Sequence, residues 1–109
     1  MQKFAVMTHT VIAAAAVTQH RFVALTGVHA TAGGNAFGIS TSDAADGDQL
    51  AMDCLGSSIV EASGAIEEGD GIEVGAAGVA ITADTGTVVA RALQAAADGD
   101  LFEVFIIPN

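Results

Sequence analysis

Hydrophobic positions along the chain fall in short runs that glycine or Asp-Gly pairs interrupt. Interruptions this frequent leave little room for a helix of about ten residues and predict short strands joined by turns. The predicted strands are Phe4–Met7, Arg21–Thr26, Ala36–Ser40, Gln49–Cys54, Ser58–Ala62, Gly71–Val74, Val79–Thr82, Thr87–Leu93 and Leu101–Ile107. This pattern is typical of an all-β fold, and we expect a compact small barrel or a sandwich of short strands, with an N-terminal arm.

Two alanine-rich stretches, Val11–Val17 and Ala90–Ala97, are ambiguous between helix and strand. Alanine favours helix, but a strand of small side chains gives the same hydrophobic pattern over so short a length. Both alternatives therefore stay open for both stretches.

One kind of segment is repeated along the chain. Phe37–Ser40 leads to Ala44–Met52, and Val89–Leu93 leads to Ala96–Val104, with a weaker third copy at Ile66–Val74. Each copy contains a short acidic connection, a Gly-Asp pair and a following strand. Glycine supplies a positive φ, and the aspartate turns the backbone locally. The copies predict related β-turn-β units within one fold and are too few and too irregular for a solenoid.

A chain of 109 residues predicts a single domain. Within it we expect residues 19–109 to form the β-rich domain and residues 1–18 to form an N-terminal arm or an edge strand. The segment Gln2–Val17 is apolar and low in charge, so it is a candidate for adding a strand to a sheet edge of a partner. The candidate contact residues of this arm are Phe4, Val6, Val11 and Ile12.

The charge balance is strongly acidic. Thirteen Asp and Glu residues face three cations, Lys3, Arg21 and Arg91, which gives a net charge of -10. A charge of this sign repels phosphate groups, so we expect neither nucleic acid nor a membrane surface as a partner. Arg21 and Arg91 lie in apolar segments, and each is expected to pair with a carboxylate, either within the fold or across a contact between subunits.

No pattern of metal ligands stands out. The Asp-Gly-Asp sequences at residues 46–48 and 98–100 do not continue into the ordered oxygen ligands of a calcium loop, so turn formation is the favoured interpretation. The histidines His9, His20 and His29 are farther apart than the local pairs of zinc sites, and no cysteine lies near them in sequence. We predict no metal site.

Cofactor and enzyme signatures are also absent from the sequence. Gly69–Val74 is similar to the strands of biotinyl and lipoyl carrier domains, but those need a lysine at a hairpin tip and the only lysine is Lys3. No nucleophile elbow, phosphate loop or dinucleotide fingerprint occurs. Cys54, the only cysteine, excludes an intrachain disulfide and is expected to be a small buried hydrophobe. The chain is predicted to be neither an enzyme nor a cofactor carrier.

Binding surfaces must be built from an unusual set of side chains. Trp and Tyr, which dominate many interfaces together with Arg, are absent. Binding must then come from aliphatic burial, from the five Phe residues and from main-chain pairing at sheet edges. Phe102 and Phe105 are candidates for the core or for a contact between subunits, and strand alternation alone does not separate the two roles.

The order of these segments resembles a known family. Gln19–Leu25 is followed by Ala36–Ser40 and its acidic turn, then by a glycine-rich middle and by Val89–Val104. Over residues 19–107 this order is similar to that of the small capsid decoration, or cement, proteins of tailed bacteriophages.

That resemblance implies a structural role in a virion. Members of the family are compact β-rich domains that form homotrimers on the outer surface of an icosahedral capsid, at three-fold and quasi-three-fold positions. The implied partners are the major capsid protein and further copies of the chain, and assembly takes place in the host cytoplasm. The implied function is stabilisation of the expanded shell. A non-catalytic β-barrel binding or adaptor module is the alternative.

Overall fold

A computed structural model describes residues 3–109. These residues form eight strands in one sheet. They are β1 Ala5–Ile12, β2 Phe22–Val23, β3 Gly38–Ser40, β4 Gln49–Glu61, β5 Gly71–Val74, β6 Ala80–Thr82, β7 Ala90–Ala92 and β8 Leu101–Ile106. One 3-10 turn, Ala76–Gly78, precedes β6. Within the described part of the chain, no helix has the length and hydrophobicity to cross a lipid bilayer.

The longest strand, β4, organises the sheet. β1 and β3 pair with its first part, and β8 pairs with its second part. From β8 the sheet continues through β7 and β5 to β6, and a parallel bridge between Ala62 and Ala80 brings β6 back beside the end of β4. The sheet is therefore a nearly closed barrel. The predicted all-β fold, expected as a small barrel or a sandwich, is confirmed, and the structure shows the barrel.

The sequence predicted a break at Gly56 that the structure does not have. Gly56 has φ 93, and a β-carbon on it would overlap the carbonyl oxygen of Phe4. The glycine thus admits the close approach of β1, and β4 continues through it. Neither alanine-rich stretch is helical: β1 extends to Ile12, β7 occupies Ala90–Ala92, and turns with isolated bridges occupy the rest.

The repetition in the sequence extends to a duplication of the strand arrangement. We call residues 5–54 the first repeat and residues 55–106 the second repeat. The residue pairings of the first repeat recur in the second: Thr10–Ala51 as Ile59–Glu103, and Phe22–Ile39 as Gly71–Arg91. The second repeat differs mainly by β6, because its hairpin is longer than the single bridge between Val23 and His29 in the first.

The buried residues form two cores, and every buried residue of the first core has a counterpart in the second, larger one. The first core comprises Ala13, Val17, Val23, Ala44, Leu50, Met52 and Cys54. The corresponding residues of the second core, in the same order, are Ala62, Ile66, Ile72, Ala96, Phe102, Val104 and Ile106. The aliphatic pattern of the chain therefore specifies two small cores, and β4 is the strand that belongs to both.

The acidic turns are built alike. In each, an aspartate Oδ2 accepts the backbone N–H of the residue three positions earlier at 3.0 to 3.1 Å, from Ala45 to Asp48, from Glu67 to Asp70 and from Ala97 to Asp100. The glycines before these aspartates all have positive φ, from 84 to 92. The aspartate carboxylates are thus engaged in the turns themselves, as the sequence indicated.

A fourth copy of this turn, Val17–Arg21, was missed by the sequence analysis. His20 takes the place of the glycine and adopts the left-handed conformation, with φ 63. Arg21 takes the place of the aspartate, and the N–H of Thr18 is accepted at 3.0 Å by Nε2 of His29 instead. The fourth copy therefore keeps the positive φ of the turn, while the N–H of Arg21 is accepted by Oγ of Ser40 and none of its side chains matches the sequence motif.

Candidate interaction surfaces

The predicted arm lies along the barrel as its edge strand β1. Its register with β4 runs from Ala5 opposite Gly56 to Ile12 opposite Gln49. Its other edge has no strand partner within residues 3–109. Met1 and Gln2, which belong to the predicted arm, lie outside the described residues. The strand thus belongs to the domain and also presents a free edge.

Three of the four candidate arm residues point their side chains to solvent. Phe4 is 79% exposed, Val6 66% and Ile12 58%. Val11 is half-buried and packs against the first core. The β1 sequence, AVMTHTVI, contains no charged residue and no proline, the residues with which edge strands are usually protected from pairing. Its role as the capsid-binding segment stays a prediction.

Two contacts fix the start of β1 to β4. Lys3 Nζ lies 2.9 Å from Oδ2 of Asp53. Phe4 donates its N–H to Oγ of Ser57 at 2.8 Å, and its carbonyl oxygen accepts the N–H of Ser57 at 3.0 Å. Asp53 is buried and also accepts the hydroxyl of Ser58 at 2.6 Å. Among the described residues, Lys3 is the cation that forms an ion pair with the buried carboxylate of Asp53. It therefore neutralises Asp53 and also holds the start of the strand.

The two arginines differ in burial and in their contacts. Arg21 is half-buried and forms an ion pair with Glu61, with Nη2 and Oε1 3.3 Å apart, and it also donates to the carbonyl oxygen of Ala77 at 3.0 Å. Arg91 is exposed and donates to the carbonyl oxygen of Gly69 at 2.9 Å. No carboxylate among residues 3–109 lies within ion-pair distance of it. Arg21 joins the two repeats, whereas the charge of Arg91 is available at the surface.

The two phenylalanines of β8 also differ in burial. Phe102 is fully buried in the second core, and Phe105 is 49% exposed. Phe105 lies opposite Arg91 on β7 and opposite Ser57 on β4. Around it lie further exposed apolar side chains that the sequence analysis did not single out. We define the second-repeat face as Val88, Arg91, Leu93, Leu101 and Phe105.

Two shallow cavities lie beside β1, and neither forms an evident reaction centre. An apolar one of about 230 Å³ is lined by Met7, Phe37, Cys54, Leu55 and residues 106–109. Burial raises the pKa of the Cys54 thiol, which keeps it protonated and weakly nucleophilic. A polar cleft of about 340 Å³ includes Lys3, His20 and Asp53. Among residues 3–109, no group of three His, Cys, Asp or Glu side chains gathers as a metal site.

Comparisons with known proteins agree on one class. The model of the family described as phage cement protein matches residues 1–106. A solved structure, the N base of the head fiber protein gp8.5 of bacteriophage phi29, is similar with a TM-score of 0.80 and 26% sequence identity. The similarity covers 93% of this chain and 93% of that chain. Curated protein sequences give no match.

Proposed function

The chain belongs to the phage cement protein family, and from this premise we propose that it binds the outer surface of an icosahedral phage capsid and stabilises the expanded shell. It acts as a structural protein, without catalysis. Its partners are the major capsid protein and other copies of itself, which associate as a trimer at three-fold and quasi-three-fold positions. Assembly takes place in the host cytoplasm. The similar structure is the base of a phage head fiber, which supports a position on the head.

The observation that carries the proposal is the free edge of β1. An edge strand of eight residues without charge or proline is a template for pairing with another strand. Val6 on this strand and Phe4 just before it are largely exposed, so main-chain hydrogen bonds and apolar contacts can form together. We propose that β1 pairs with a strand at a sheet edge of the capsid protein.

The charge of the chain supports an outward position. A net charge of -10 is unfavourable beside packaged DNA and favourable for solubility on the outside of a particle. The pairing edge itself is uncharged, so β1 adds no charge repulsion of its own to the contact with the shell.

The experiment is co-sedimentation of the chain with expanded capsids of the phage that encodes it. Val6→Lys places a charge on the pairing edge and is expected to reduce binding at least tenfold. Thr85→Lys adds the same charge on an exposed loop outside β1 and serves as the matched control. Equal binding of both variants and the parent would remove β1 from the contact, and failure of the parent to bind would overturn the capsid role.

A further inference from the structure

The two repeats meet through an apolar contact that buries one face of the first repeat. Phe22 and Ile39, which pair across β2 and β3, are buried together with Ala36 in the second core, not in the first. The second repeat therefore covers the β2–β3 face of the first repeat.

The corresponding positions of the second repeat are uncovered. By the shared register, Gly71 and Arg91 correspond to Phe22 and Ile39. Val88 corresponds to Ala36, and a β-carbon on Gly71 would lie 3.7 Å from its methyl groups, on the side of the sheet that carries Arg91. Where the first repeat buries Ala36 and Ile39 against its neighbour, the second repeat exposes Val88 and Arg91. Leu93, Leu101 and Phe105 extend this exposed surface along β7 and β8.

The other side of the contact recurs as well. Val74 of the second repeat is fully buried where the repeats meet, and its carbonyl oxygen accepts the N–H of Gly33 at 2.8 Å. The residue of the first repeat that corresponds to Val74 is Leu25, and it is 56% exposed. The contact between the repeats has two sides, and the positions that form each side recur in the other repeat. Within residues 3–109, neither recurring set of positions has a partner.

From this we infer that the second-repeat face of one copy binds the first repeat of a second copy around Leu25, head to tail. The occupant is another copy of this chain because the chain itself already makes the same kind of contact between its repeats. Each copy has a net charge of -10, so two copies repel overall, and Arg91, which has no carboxylate partner within residues 3–109, supplies a local cation at the contact. A head-to-tail contact joins different surfaces and can close into a ring. The inference deepens the proposed function, because it assigns the surfaces of the proposed trimer.

Two charge variants test the contact in solution by sedimentation velocity. Phe105→Asp disables the second-repeat face and Leu25→Asp disables the first-repeat surface. Both side chains are exposed, so each variant is expected to keep the parent's circular dichroism spectrum. Thr85→Asp is the control with the same charge change on a loop. We expect the parent and Thr85→Asp to form trimers, and each of the two test variants to self-associate at least tenfold more weakly.

Mixing the two test variants gives the sharper result. Leu25→Asp keeps an intact second-repeat face and Phe105→Asp keeps an intact Leu25, so one good contact remains and a 1:1 dimer should form. Normal trimers of Leu25→Asp would show that Leu25 is not part of the contact and would overturn the head-to-tail assignment, as would a monomeric parent or the absence of a mixed dimer. Capsid binding is measured separately, so the self-association results can be interpreted even if the chain does not bind capsids.

Discussion

The ammonium group of Lys3 lies 2.9 Å from the carboxylate of Asp53 and connects the start of β1 to the middle of β4. Asp53 is only 2% exposed, whereas the side chain of Lys3 is 46% exposed. A buried carboxylate without a cation is costly, so this ion pair decides whether Asp53 can be tolerated in the barrel wall. The ion pair also holds the first described residues, from Lys3 onward, against β4.

Replacing Lys3 by Met should therefore destabilise the fold. The change leaves Asp53 buried with hydroxyl partners only, and we expect a loss of about 1–3 kcal/mol, reduced from the fully buried case because Lys3 is partly solvated. Urea denaturation measures it. In the background of Asp53→Asn the same substitution should cost much less. Equal costs in both backgrounds would show that the pair does not stabilise the protein.

The left-handed conformation of His20 predicts that glycine destabilises the fold less than alanine at this position. His20→Ala and His20→Gly both remove the ring, whose Nδ1 lies 3.2 Å from the carbonyl oxygen of Ile59. Only glycine adopts φ 63 without steric cost, so the Gly variant should be more stable than the Ala variant by about 1 kcal/mol. Thermal unfolding of the two variants compares them. A more stable Ala variant would contradict the turn geometry.

The contact between His29 and Thr18 predicts a pH dependence. Nε2 of His29 accepts a backbone N–H, and burial, together with the nearby charge of Arg21, lowers the pKa of this imidazole below 6.5. The unfolded chain then binds the proton more readily, so stability is complete above pH 6.5 and decreases as the pH falls from there towards the lowered pKa. Free energies of unfolding at pH 7.5 and 5.5 should differ less in His29→Gln, and an unchanged difference would exclude this group.

The repeated turns predict three similar effects. Asp48→Ala, Asp70→Ala and Asp100→Ala each remove the acceptor of one backbone N–H and should each cost about 1 kcal/mol. Asp46→Ala removes the same charge from an exposed position of the first turn and is the control. Chemical denaturation of the four variants measures these costs. If the control loses as much as Asp48→Ala, the effect comes from charge and not from the turn hydrogen bond.

Much of the fold could be predicted from local pattern, because glycine and Asp-Gly pairs mark the ends of most strands. Gly56 misled because the same residue also permits close packing of β1, which depends on a neighbour far away in sequence. The fourth turn was missed because His20 adopts a conformation normally supplied by glycine. The partners of Lys3 and Arg21 lie 50 and 40 residues away, so strand pattern alone could not show which cation is neutralised inside the fold.

The candidate surfaces were predictable only in part. Exposure of Phe4, Val6 and Ile12 follows from their place on an edge strand, and alternation along β8 places Phe102 and Phe105 on opposite sides of the sheet. That the β2–β3 face of the first repeat is covered, while its counterpart in the second repeat is not, depends on the duplication. That relation becomes visible only when the registers of the two repeats are compared.

The most direct measurement is a density map of the expanded capsid carrying this chain. We expect three copies around each three-fold and quasi-three-fold position on the outer surface, with β1 against the shell and Phe105 of one copy near Leu25 of the next. Density on the inner surface, or copies bound with β1 facing solvent, would contradict it.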